Sequence, residues 1–132
     1  MTTANRILLI DADTAFLTVL ADVFRGSGFE VFTARDGRDG VRSFLANDPE
    51  VVITDLIVPV MGGVTTCLEI TRLAGDDPPI LILLTAMFQG KPHEHETPDM
   101  GAKFHIPKNV KPLDIVILVE QLLERESPKA AA

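Results

Sequence analysis

The chain has no basic excess, only one cysteine and no apolar run of membrane-spanning length, and each shortage narrows what it can be. Twelve Lys and Arg stand against 19 Asp and Glu, for a formal charge of -7. Domains that grip a nucleic-acid backbone usually carry a basic stripe, so nucleic acid is not an expected partner. Cys67 is the single cysteine and cannot form an internal disulfide. That suits a reducing compartment and makes the cytoplasm the expected location. The longest uncharged apolar stretch, Pro79 to Phe88, is about half of the roughly 20 residues a spanning helix needs. Met1 to Arg6 holds no apolar signal-peptide region, and no internal repeat is visible. What remains is 132 residues, 46% hydrophobic and 23% charged, the composition of one globular domain. That domain is expected over residues 1–126, followed by a flexible tail at 127–132. The length leaves no room for an output module and gives the expectation of a stand-alone domain.

Within it, short apolar runs alternate with segments of helical period. Ile7 to Ile10 reads as a buried strand, and Phe16, Val19, Leu20, Val23 and Phe24 share one face of the helix that follows. Gly26 and Gly28 end that helix. Phe29 to Thr33 predicts a second strand, and Val41, Phe44 and Leu45 mark a second helix closed by Asn47, Asp48 and Pro49. Val51 to Thr54 is continuously hydrophobic, as a strand covered on both faces should be. A loop with Pro59, Gly62 and Gly63 leads to a helix around Val64 to Leu73, and Gly75 to Pro79 breaks the chain before a fourth strand, Ile80 to Leu84. A fifth strand near Phe104 to Lys108 and a helix from Pro112 to Arg125 complete the pattern. Strands alternating with helices imply an α/β fold, a doubly wound parallel sheet with helices on both faces.

Two segments depart from regularity. Met87 to Asp99, where a helix belongs, holds Gly90, Pro92, Pro98 and the run His93-Glu94-His95-Glu96. Proline inside a helix costs about 3 kcal/mol, so a short, late-starting or partly disordered helix is expected there. The two histidines read as part of a solvated run rather than as a metal site. In the last helix, Ile115 to Val119 are all apolar and circle the axis. One side can pack on the sheet, and the other needs the preceding helix or a partner, such as a second copy docking through Pro112 to Arg125. Cys67 is most simply a small core residue.

Ligands bind at the carboxyl ends of the strands in an open parallel α/β sheet. Those ends carry Asp11 and Asp13, then Asp55, Thr85 and Lys108. Carboxylates, a hydroxyl and an ammonium on one edge suit phosphoryl chemistry. Carboxylates can hold a hard cation such as Mg²⁺, an aspartate can accept a phosphoryl group, and the hydroxyl and ammonium can bind the remaining oxygens. Polar strand ends can also merely cap helices and meet solvent.

These residues carry a family resemblance over Arg6 to Arg125. Ile7-Leu-Leu-Ile-Asp11, the run Val51-Val-Ile-Thr-Asp55-Leu-Ile-Val-Pro59-Val-Met61-Gly-Gly63, then Ile80 to Ala86, then Gly101-Ala102 followed by Lys108, together resemble the receiver domain of two-component response regulators. The resemblance implies a flavodoxin-like five-stranded parallel sheet of order 2-1-3-4-5. It implies that Asp55 accepts a phosphoryl group from a histidine kinase or phosphotransfer protein. Thr85 and Lys108 would contact the phosphoryl oxygens, and output would pass to a downstream protein effector. Mg²⁺ would be held by Asp11, Asp55 and the backbone carbonyl of Ile57. Such a chain is a phosphorelay binding module and phosphoprotein, not a free-standing enzyme.

The departures bear on the same site. Where the family has a second acid after strand one, this chain has Ala12, and Gly62 replaces a common acid after Asp55. Asp13 either supplies the missing metal ligand or caps the first helix, the reading preferred here. The lysine is Lys108 on spacing, although it precedes Asn109 rather than proline, and the Lys111-Pro112 pair is the alternative. The family's cis bond after the lysine is not carried over. Ile57 and Met87, two residues beyond Asp55 and Thr85, are apolar and would keep water from a bound phosphoryl group. His105 is either a surface histidine on an edge strand or a rotameric switch. Two other functions stay open. One is a pseudo-receiver read without phosphorylation, favoured by Ala12. The other is a phosphatase of the haloacid-dehalogenase type, which Ala15 and the lack of a late acidic motif disfavour.

Overall fold

The computed structural model describes residues 5–85, 93–94 and 104–126. Its strands are β1 (Arg6–Ile10), β2 (Glu30–Ala34), β3 (Val51–Asp55), β4 (Ile80–Thr85), β5 (His93–Glu94) and β6 (Phe104–Pro107). The helices are α1 (Thr14–Gly26), α2 (Gly37–Asn47), α3 (Gly63–Ala74) and α4 (Pro112–Glu126). One sheet holds the strands in the order β2-β1-β3-β4-β6-β5. All neighbours are parallel except β5, which runs antiparallel along β6 with His93 opposite His105. The five parallel strands therefore have the expected 2-1-3-4-5 order, and a two-residue strand lies along their outer edge.

Register fixes where the chemistry lands. Ile10 pairs with Ala34 and Thr54, Asp55 with Leu84, and Thr85 with Pro107. The strands thus end almost level, and the residues following them share one edge.

Side chains alternate across a strand, so each strand feeds two cores. Leu9, Ile53, Leu84 and Ile106 face α1 and α4, where Leu20, Phe24, Val116 and Val119 complete one cluster. Leu8, Ile10, Val52 and Leu83 face the other way, against Phe44 of α2 and Cys67 and Ile70 of α3. The unbroken hydrophobicity of β3 follows from this double cover, since Val51 to Thr54 are all essentially inaccessible. Cys67 is fully buried, and burial pushes its thiol pKa up to about 12, as befits a core residue.

Local signals set the helix ends. Asp13 caps α1 and Asp36 caps α2, accepting from Phe16 N–H (3.2 Å) and Asp39 N–H (2.8 Å). α2 closes at Asp48, in the left-handed region at φ 48°, just before Pro49. The second strand begins at Glu30 rather than Phe29, because the Phe29 N–H closes the end of α1 by donating to Phe24 C=O (3.1 Å), and the Phe29 ring packs edge-on against Phe24.

In the last helix, Ile115, Val116, Val119 and Leu122 are buried against the sheet and α1, while Leu113 and Ile117 stay exposed on the helix where a partner was expected. Two expectations are revised. His105 is completely buried, and its strand is flanked by β4 and β5, so it is not a surface histidine on an edge. Residues 93–94 form a strand where a helix was expected; a short strand there occupies the otherwise open edge of β6. The rest of the Met87 to Asp99 segment and the tail at 127–132 lie outside the described residues. No helix among the described residues is long and apolar enough to cross a membrane.

Candidate functional site

Asp11, Asp55 and Lys108 come from three different strand ends and meet at one point. The Asp11 N–H continues the ladder to Ala34 C=O (3.1 Å), while its carboxylate turns inward and is almost completely buried. One carboxylate oxygen, Oδ1, accepts the Asp13 N–H (2.9 Å), and the other, Oδ2, lies 2.9 Å from Lys108 Nζ. Asp55 closes β3, and its Oδ2 is 3.8 Å from the same ammonium. All three residues continue the alternation that faces α1, which is why three separate strands deliver them to one side of the sheet. Phe16, from the first turn of α1, places its ring centroid 4.6 Å from Lys108 Nζ.

The charges follow from this packing. Burial, reinforced by the charge of Asp11, pushes the Asp55 carboxyl above the ordinary aspartate range, against the opposing pull of Lys108 and the Leu56 N–H. Burial works against the Lys108 ammonium. The hydrogen bond and charge of Asp11, with the charges of Asp55 and Asp13, outweigh it and hold the lysine above its usual pKa. The site is a pair of carboxylates sharing one firmly protonated lysine.

A tight loop frames Asp55. Pro59 C=O accepts from Met61 N–H (2.9 Å) and from Gly37 N–H (3.2 Å) at the start of α2, with Val60 at φ 74° between them. A positive φ is costly for a β-branched residue, and here the two hydrogen bonds on Pro59 hold it. Gly63 donates to Leu56 C=O (3.0 Å) and lies so close to β3 that a Cβ would clash with the Asp55 carbonyl oxygen.

The remaining sequence candidates are placed as follows. Thr85 ends β4 with only 2% of its surface exposed, and its carbonyl accepts the Lys108 N–H (3.1 Å). The ends of β4 and β6 are thus tied together. Lys111 is exposed at the start of α4, its carbonyl accepting from Ile115 N–H, so Lys108 is the lysine that reaches the carboxylates. No cis peptide occurs among the described residues. Asp13 is the exposed cap of α1, and Ile57 stands 71% exposed beside Asp55. Met87, Gly101, Ala102 and the side chains of His93 and His95 lie outside the described residues. Phe16 was legible only as part of the apolar face of its helix; nothing local in the sequence links it to a lysine 92 positions later. Replacing the cap, Asp13→Ala, is expected to cost about 1 kcal/mol, seen as a lower urea midpoint with an unchanged slope.

The donor set does not fit a preformed divalent-cation site. Hard cations take several oxygen ligands. Here Ala12 offers only a methyl, and both Asp11 oxygens are already engaged by the Asp13 N–H and the Lys108 ammonium. Among the described residues, no group of three or more His, Cys, Asp or Glu could hold a metal ion.

The family model of the response regulator receiver domain matches residues 7–120. The transcriptional regulatory protein PrrA of Mycobacterium tuberculosis is 29% identical over 130 residues, covering 98% of this chain and 54% of that protein. The chain thus spans about half the length of the curated relatives it matches. Among solved structures, a CheY-like response regulator receiver domain protein of Methanospirillum hungatei aligns with a TM-score of 0.81 at 21% identity, covering 96% of this chain and 99% of that one. The CheX-CheY-BeF3-Mg²⁺ complex of Borrelia burgdorferi aligns with a TM-score of 0.76 at 23% identity, covering 90% and 89%. At those identities the structural likeness is one of fold.

Proposed function

The chain belongs to the response regulator receiver domain family, and on that premise we propose that Asp55 accepts a phosphoryl group from a histidine kinase or phosphotransfer protein. Receiver domains are signalling domains of two-component systems, are generally not enzymes and typically bind Mg²⁺ for phosphorylation. The observation that carries the proposal is the Asp55 carboxylate at the end of β3, beside an ammonium that is itself anchored by a second, buried carboxylate.

In the transfer, an Asp55 carboxylate oxygen forms the new bond to phosphorus as the phosphorus–nitrogen bond of a phosphohistidine breaks. The electron pair stays on the imidazole, which takes up a proton. Lys108 offsets the charge arriving on the phosphoryl oxygens, and the Thr85 hydroxyl is the proposed second contact. Because Thr85 C=O and Lys108 N–H are bonded, movement at either reaches both β4 and β6. A downstream protein effector would read that movement. The proposed setting is the cytoplasm, where a lone thiol stays reduced.

Ala12 supports a second reading, a pseudo-receiver that keeps the fold and is recognised without phosphorylation. Incubation with acetyl phosphate separates the two. The first reading expects a mass gain of one phosphoryl group that maps to Asp55. An unchanged mass in folded protein, or a label on another residue, would leave the pseudo-receiver.

A further inference from the structure

We propose that Lys108, clamped between the Asp11 carboxylate and the face of Phe16, is the resident cation of the acidic site, so that a divalent ion binds only by displacing it. The proposal deepens the phosphoacceptor reading, on which it rests for the use of the site, but it concerns the charge balance of the site before any phosphoryl group arrives.

Two carboxylates drawn together at a sheet edge need a counter-charge. The ammonium supplies it, 2.9 Å from Asp11 and 3.8 Å from Asp55. It contacts one oxygen of Asp11 and faces one of Asp55, which leaves a divalent ion no carboxylate pair free of positive charge. Two features hold it there. Asp11 is buried and bonded on its other oxygen to the Asp13 N–H, so it cannot swing away without losing that bond. The electron-rich face of Phe16 lies 4.6 Å from the ammonium and comes from α1, an element anchored separately in the core. The neighbouring residue in sequence, Ala12, supplies neither the oxygen nor the charge that would favour a divalent ion over a lysine. Phe16 is then a positioning residue: it acts on the site through Lys108.

Two substitutions of different chemistry are expected to act in the same direction, and the second separates this arrangement from one in which the lysine is a bystander. Adding a carboxylate should strengthen divalent binding, and so should removing the ammonium. The test is titration of the full chain with Mg²⁺ alone, followed by backbone amide shifts. Ala12→Asp should lower the half-saturating Mg²⁺ concentration at least about tenfold, given the added charged ligand. Lys108→Met, which keeps the length of the side chain without its charge, should lower it severalfold. Phe16→Leu should lower it about twofold to fivefold, the worth of a partly exposed cation–π contact, and Phe16→Tyr should leave it unchanged. Preserved amide dispersion shows in each case that the variant is folded.

A native chain that saturates at the same Mg²⁺ concentration as Lys108→Met overturns the proposal, and so does a Phe16→Tyr variant that behaves like Phe16→Leu. Should the native chain take no label from acetyl phosphate, the phosphoacceptor reading fails, and the Mg²⁺ titration still decides the role of the lysine.

Discussion

Asp55→Asn is expected to take no phosphoryl group from acetyl phosphate and, at pH 7, to be more stable than the native chain. The first effect is complete, because an amide lacks the carboxylate nucleophile while keeping its shape and leaving β3 paired. The second follows from the site's electrostatics. Burial and the nearby Asp11 raise the Asp55 pKa in the folded state above its ordinary value of 3.8. In the window between 3.8 and that raised value, the folded chain binds more protons than the unfolded one. Stability therefore falls as pH rises through the window, and the penalty is complete above it. Asparagine carries no such penalty, and the gain should be about 1 kcal/mol at pH 7, in line with other relieved functional sites. It should shrink as pH falls through that window and vanish well below 3.8, where the carboxyl is protonated in both states. Urea midpoints at pH 7 and at successively lower pH check this. A gain that is constant with pH would show that Asp55 is not electrostatically strained, and a loss of stability would show that its 3.8 Å pairing with Lys108 outweighs its burial.

What could be read from the chain alone depended on whether the signal was local. Apolar runs such as Val51 to Thr54, each bounded by a polar residue, located the strands, and their carboxyl ends then placed Asp11, Asp55, Thr85 and Lys108 at one edge. Asp13 was legible as a cap because capping is an exchange between neighbours, here its carboxylate and the Phe16 N–H. Choosing Lys108 over Lys111 was possible because Pro107 can end a strand, whereas a strand running on through Pro107 and Asn109 to Lys111 could not keep its ladder. The misreadings were tertiary. His105 looks like a surface residue until β5 is laid beside its strand, and strand coverage is invisible in a two-residue segment. In the last helix the run of apolar residues did not say which of them α1 would cover, and the contact that buries Ile115, Val116 and Val119 beside α1 residues is likewise tertiary. The contact of Phe16 with Lys108 joins the first turn of one helix to the end of the last parallel strand, and no periodicity reports such a meeting.

Gly63→Ala is expected to cost more than about 3 kcal/mol, and more than Gly62→Ala, although only Gly62 has a positive φ, 77°. If conformational freedom were the deciding factor, the order would be the reverse. A Cβ on Gly62 meets nothing within 4 Å, so its cost is limited to the backbone, whose φ 77° and ψ 154° lie in an extended region used almost only by glycine, roughly 1–3 kcal/mol. A Cβ on Gly63 would clash with the Asp55 carbonyl oxygen and stand 2.9 Å from Leu56 Cα and O. Those are backbone atoms of β3 and its exit, and they cannot rotate aside as a side chain would. The clash therefore adds overpacking strain to the weakening of the Gly63 N–H to Leu56 C=O bond of 3.0 Å. Function should suffer with stability, because any shift that relieves the clash moves the Asp55 backbone relative to Lys108. Small misplacements of a reacting group are costly, and labelling by acetyl phosphate should slow by at least about tenfold under conditions where the variant is folded. Urea denaturation of both glycine variants, with labelling rates measured well below their midpoints, distinguishes the two causes. If Gly62→Ala proves the more damaging substitution, close approach to β3 is not what requires glycine at position 63. If Gly63→Ala loses stability but labels at the native rate, the loop supports the fold without positioning Asp55.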